Sequence, residues 1–211
     1  MTENIPVFYF DMDGVLAIFE EDVPKSEVLD PAKRYFRYVP PDARALNLAR
    51  ALHAMGPEIC DVQVLTRILS DQDPSDKLLQ AKDKNKWAAD RLPWLRLPQG
   101  KNKYHCLDRN KAQFLLGIPS EQRRYHILID DEITQLRAWS DIGGTAVQYL
   151  QPDRRMSRWC GHVIDRNDSP WTALATLCRI GAGIMSEKTG MGSHPKPDAK
   201  PFTEPAQTCG I

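Results

Sequence analysis

The chain has 211 residues, its 28 Lys plus Arg are balanced by 28 Asp plus Glu, and 42% of it is hydrophobic. That length suits one α/β domain with a sizeable core, and zero net charge gives no global reason to expect a stable nucleic-acid or membrane-surface partner. The five cysteines contain no C-x-x-C pair, which argues against a disulfide framework or a zinc knuckle. No leader-like N-terminus and no apolar run long enough for a membrane span is present, so the expectation is a cytoplasmic protein.

Val7 to Phe10 is a short run of strand-forming residues that ends abruptly in Asp11-Met12-Asp13-Gly14. A stretch without clear periodicity, about 17–41, follows, with Tyr35-Phe36-Arg37-Tyr38 in its middle. Ala45, Leu48, Leu52 and Met55 then step at helical intervals after Pro41-Asp42, and Gly56 closes the helix. Val62 to Leu65 is expected to be a strand running into Thr66-Arg67. A helix from about Ser75 follows, with Leu78, Ala81, Ala88 and Leu92 on its apolar side. Tyr104 to Leu107 gives a third strand, Arg109 to Leu116 a short helix, and Tyr125 to Ile129 a strand that runs into Asp130-Asp131. Ile133, Leu136 and Trp139 mark another helix, and Gly143-Gly144 leads to a strand over Thr145 to Tyr149.

Strand and helix therefore alternate, which predicts a mostly parallel sheet covered by helices on both faces. The expected division is a core over 1–150 with a short cap or flap at about 17–41. A C-terminal extension over 151–185 carries a helix packed on that core, and a flexible, proline-rich tail occupies 186–211. In such sheets ligands bind at the carboxyl ends of strands, and three strands here end in polar groups: Asp11, Thr66 and Asp130-Asp131.

Asp11 at a strand end is a candidate nucleophile toward phosphorus, and an acyl phosphate would split hydrolysis into two displacements. Asp13 is placed to give a proton to the leaving oxygen and to take one from the attacking water. Gly14 permits a tight backbone turn around a phosphate. Asp130-Asp131 follow an apolar strand where paired acids would repel unless a cation compensates, which points to Mg²⁺ with Asp130 as a direct ligand. Asp131 would hold a metal-bound water or anchor the loop. Thr66 and Lys111 are candidates for phosphate oxygens, with Lys103 a rival placed at the opposite edge of the sheet. Tyr35, Phe36 and Arg37 either meet a substrate base and phosphate or simply bury an irregular stretch. Arg67 either meets a second charged group of the substrate or is a surface residue.

In FYFDMDGVL, VLTR, LDRNKAQFL and ILIDDE, taken in that order over about 5–150, the sequence resembles the haloacid dehalogenase superfamily. The resemblance implies a Rossmann-like three-layer core with a small or minimal cap. It also implies Mg²⁺ held by Asp11, the backbone carbonyl of Asp13, and Asp130, with Asp131 beside it. The stretch ILIDDEITQLRAWSDIGGTAVQY is similar to the 5'-nucleotidase and deoxyribonucleotidase branch, although Thr66-Arg67-Ile68 stands where that branch often has Thr-Ser-Pro. The implied activity is hydrolysis of a small phosphomonoester such as a nucleotide, at a site either open or closed by a second subunit in a homodimer. Rival readings are a sugar-phosphate phosphatase, a phosphoprotein or nucleic-acid-end phosphatase, and a non-catalytic binding module. The presence of both Asp11 and Asp13 counts against the last of these.

Overall fold

The computed structural model of the chain describes residues 5–18, 23–30, 32–68, 73–95, 103–151 and 159–186. Six parallel strands form one sheet: β1 (Val7–Phe10), β2 (Asp61–Arg67), β3 (Tyr104–Leu107), β4 (His126–Asp130), β5 (Thr145–Leu150) and β6 (His162–Asp165), in the order β3-β2-β1-β4-β5-β6. The strand after the first crosses to one side of it and the fourth returns to the other, so β1 lies at the point where the winding reverses. In open α/β sheets that is where a crevice forms at the carboxyl edge. The register pairs Phe10 with Val64 on one side and with Ile129 on the other, so β4 runs one residue and β2 three residues past the end of β1, at the same edge of the sheet.

Alternation along β1 sorts the core into two layers. Phe8 and Phe10 face one apolar cluster with Val62, Val64, Ile127 and Ile129, covered by α3 (Ala43–His53), α4 (Pro74–Arg91) and α6 (Pro170–Ser186). Tyr9 points the other way, with Leu65, Leu128 and Ala146, onto Leu115 and onto Leu136 and Trp139 of α5 (Ile133–Asp141). Two helices begin with aspartate caps: Asp42 accepts from the backbone of Arg44 and Ala45, and Asp73 from Ser75 and Asp76. Gly144 is needed because a Cβ there would overlap the Trp139 indole and come within 2.6 Å of Leu115 Cδ1.

The α/β fold with a parallel sheet is as the sequence predicts, and most element boundaries agree within a residue or two. Residues 111–117 form 3-10 turns. The apolar side expected for α4 needs correcting. Leu78 is 57% exposed, and the inward face carries Gln80, Asp83, Lys84, Trp87 and Ala88. The sheet also continues past residue 150, because β6 pairs with β5 at its edge. The approach to β6 is a tight turn closed by Trp159 Nε1 donating to the His162 carbonyl at 3.0 Å. The expected helix over about 168–184 is α6, and of the proposed tail over 186–211 Ser186 ends that helix while 187–211 lies outside the described residues.

The segment between β1 and α3 contains two single-turn helices, α1 (Lys25–Val28) and α2 (Tyr35–Tyr38). It is anchored to α4: Arg34 makes a two-point ion pair with Asp83, and Trp87 Nε1 donates to the Val39 carbonyl at 2.8 Å. Arg34 adopts a left-handed backbone conformation, with φ of 51°, to make that turn.

Candidate active site

Beyond β1 the chain keeps its ladder for one more residue, with Asp11 N–H donating to the Ile129 carbonyl at 2.9 Å. It then coils back on itself. Ala17 N–H donates to the Met12 carbonyl at 2.7 Å and Gly14 N–H to the Ala17 carbonyl at 2.9 Å. Gly14 sits at φ of 80°, a region that favours glycine, and a Cβ there would lie 2.6 Å from Asp131 Cγ. The glycine thus serves two ends: it turns the loop and leaves room for the second acid of the pair. Gln151 Nε2 donates to the Gly14 carbonyl, and Arg166 links Gln151 to the α3 cap through a 2.6 Å ion pair with Asp42.

Asp11, Asp130 and Asp131 converge, with one carboxylate oxygen from each lying within 4.8 Å of the others. Lys111 Nζ lies 2.7 Å from Asp11 Oδ1 and 2.6 Å from Asp130 Oδ2, with its side chain 2% exposed. Burial works against the Lys111 ammonium, but the two carboxylates outweigh it and hold its pKa above the usual value. Asp130 is wholly buried. Burial, reinforced by Asp11 and opposed by Lys111, pushes its pKa up to about 6. A single ammonium touching two of three converging carboxylates leaves excess negative charge, and a hard dication with oxygen ligands fits that donor set.

Asp13 is not one of the three. Its Oδ2 accepts from Lys84 Nζ, while its Oδ1 is buried without a partner among the described residues. Burial raises the Asp13 pKa, Lys84 opposes that, and the neighbouring Asp11 charge adds to it. Lys84 reaches the site from the middle of α4. Its Nζ also donates to Thr66 Oγ1 at 3.2 Å and to the Arg67 carbonyl at 2.6 Å, and it lies 4.5 Å from the centre of the Phe36 ring. Three donors meet three acceptors, so this fully buried ammonium is satisfied. Thr66 already receives the Lys84 proton, and its own hydroxyl hydrogen is therefore available to a phosphate oxygen.

The residues predicted from sequence thus divide. Asp11, Asp13, Gly14, Thr66, Lys111, Asp130 and Asp131 gather at one edge of the sheet. Lys103 pairs with Asp61 at the start of β2, on the opposite edge. Arg67 is at the rim, 3.3 Å from Glu132. Phe36 is buried over Lys84, Tyr35 packs half-buried against the core, and Tyr38 is 74% exposed. Lys84 is the site residue that sequence reading missed. Its signal is the side of α4 shared by Gln80, Lys84 and Trp87, where an i, i+4, i+7 spacing puts a lysine in line with a tryptophan.

The fold is similar to that of solved phosphatases and haloacid dehalogenase-like hydrolases. The chain superposes on a D,D-heptose 1,7-bisphosphate phosphatase from Burkholderia thailandensis with a TM-score of 0.50 at 14% identity, covering 82% of this chain and 98% of that one. It superposes equally, with a TM-score of 0.50 at 11% identity, on a haloacid dehalogenase-like family hydrolase from Xanthomonas campestris, covering 86% and 98%. No protein family matches the sequence, and no curated protein does. Among the described residues no helix is long and apolar enough to cross a membrane.

Proposed function

We propose that this chain is a Mg²⁺-dependent phosphomonoester hydrolase that works through an aspartyl-phosphate on Asp11. The observation that carries the reading is the convergence of Asp11, Asp130 and Asp131, with Asp13 held apart on a separate cation. Asp11 attacks phosphorus while the bond to the leaving oxygen breaks, and Asp13 gives that oxygen its proton. Asp13 then takes a proton from water as the water attacks phosphorus, which frees phosphate and restores the Asp11 carboxylate. Lys111 and Thr66 stabilise charge on the phosphoryl oxygens. Asp11, Asp130 and Asp131 would hold the Mg²⁺, which neutralises phosphoryl charge as a Lewis acid.

Within this class the stretch from Ile127 to Tyr149 favours a nucleoside 5'-monophosphate as substrate, with sugar phosphates as the rival. The test is phosphate release from a panel of nucleotides, sugar phosphates, phosphopeptides and phosphorylated nucleic-acid ends, with Mg²⁺ or with EDTA. Wild-type turnover that needs Mg²⁺ and disappears in Asp11→Asn is expected. Turnover that survives in Asp11→Asn, or none with any compound, would overturn the reading.

A further inference from the structure

Among the described residues Lys84, Lys111 and Arg67 pair with acids at or beside the site, and they are not equivalent. Lys111 and Lys84 are buried and committed to carboxylates of the reacting centre. Arg67 has a side chain 34% exposed, and among the described residues its one ion-pair partner is Glu132, itself 45% exposed and 3.3 Å away. Exposed pairs of this kind are weak because solvent screens them, so an incoming anion displaces Glu132 at little cost.

Where this pair lies matters. Arg67 ends β2 and Glu132 stands two residues past Asp130 at the end of β4, and these strands flank β1 on opposite sides. Two inter-strand steps of about 4.8 Å separate β2 from β4, so the ion pair spans the end of β1, where Asp11 emerges. Both partners are fixed to the reacting groups through their backbones. The Arg67 carbonyl accepts from Lys84, and the Glu132 N–H donates to Asp130 Oδ1 at 2.9 Å. Thr134 Oγ1 also donates to Glu132 Oε1, at 2.5 Å. A second guanidinium belongs to the same edge: Arg109 is exposed and lies two positions past Leu107, the register partner of Arg67.

We propose that Arg67 binds a second anionic group of the substrate, with Glu132 as the internal anion it exchanges. The preferred substrates are then phosphomonoesters carrying another phosphate or carboxylate a few bonds from the scissile one, whether on a nucleotide or a sugar. This inference rests on the phosphatase reading. Arg suits the role because its planar fork matches either oxyanion in two-point contact.

The test compares propyl phosphate, 3-phosphooxypropionate and propane-1,3-diyl bisphosphate on wild type, Arg67→Met, Arg67→Lys and Glu132→Gln. Wild type should show a lower KM for one or both compounds with a second anion, and the two arms say whether carboxylate or phosphate is preferred. Arg67→Met should raise that KM by about ten- to a hundredfold with kcat and the propyl phosphate KM unchanged. Arg67→Lys should recover part of the loss, and Glu132→Gln should lower the same KM. Calorimetry with methylenediphosphonate and methylphosphonate on Asp11→Asn protein, with and without Arg67→Met, gives the same comparison at equilibrium. Equal KM values for all three substrates in wild type, or equal losses on all three in Arg67→Met, would overturn the Arg67 assignment and leave the phosphatase reading standing. No phosphate released by wild type from these three compounds or from the nucleotide, sugar-phosphate, phosphopeptide and nucleic-acid-end panel would overturn both.

Discussion

Replacing Lys84 by methionine keeps an unbranched apolar chain as far as Cε beside Phe36 but removes an ammonium with three bonded acceptors. The Asp13 carboxylate loses its counter-ion, and the Arg67 carbonyl and Thr66 hydroxyl each lose a donor. Breaking a buried ion pair by removing one partner costs roughly 3–5 kcal/mol. Asp13 has a side chain 24% exposed, so water and protonation recover part of that, and about 3 kcal/mol is the expected loss. For a chain of this size the loss amounts to a fall in Tm of about 6–12 °C. Turnover should fall at least about tenfold, because both Asp13 and Thr66 lose the group that orients them. The assay is a thermal melt by circular dichroism with Asp13→Asn and the double variant completing a cycle. Coupling of more than about 1 kcal/mol between the two positions is expected. A Tm for Lys84→Met within a degree or two of wild type, or strict additivity with Asp13→Asn, would refute the reasoning.

Gly14→Ala should cost about 1–2 kcal/mol from its left-handed backbone alone. It should also weaken Mg²⁺ binding, measured by calorimetry, about tenfold or more by pushing the Asp131 carboxylate aside. Asp130 has a folded-state pKa raised from 3.8 to about 6, so the folded protein holds that proton more tightly than the unfolded chain does. Its contribution to stability in EDTA should therefore fall as pH rises from about 4 to about 6. The difference in Tm between wild type and Asp130→Asn over that window measures the effect, and stabilisation by Mg²⁺ should grow over the same window and level off above it. Gly144→Ala should overpack the contact with Trp139 and Leu115 and lower stability by about 1–3 kcal/mol in a urea melt.

Much of the site was legible because the sequence places chemistry where apolar strands stop. Val7–Phe10, Asp61–Arg67 and His126–Asp130 each carry hydrophobic residues up to a polar terminus, and parallel pairing brings those termini to one edge. The same logic set Lys103 apart from Lys111, since one precedes β3 and the other follows it. Lys84 was hidden for a physical reason. Helical periodicity assigns apolar residues inward, but α4 lies beside a charged edge, so its inward face is polar and Leu78 is left outside. β6 was hidden because its burial is confined to one residue, Ile164, as suits a short strand at a sheet edge. The role of 17–41 was left open in the sequence. The structure packs Phe36 and Arg34 of that segment on α4, where Phe36 lies over the Lys84 ammonium.

The central claim is that phosphate passes through a covalent bond to Asp11. Quenching the enzyme during turnover and reducing it with borohydride converts an acyl phosphate to an alcohol, so peptide mass analysis should find homoserine at position 11 and unmodified aspartate at position 13. Steady phosphate release with Asp11 recovered unmodified, or with the modification on another residue, would contradict the account.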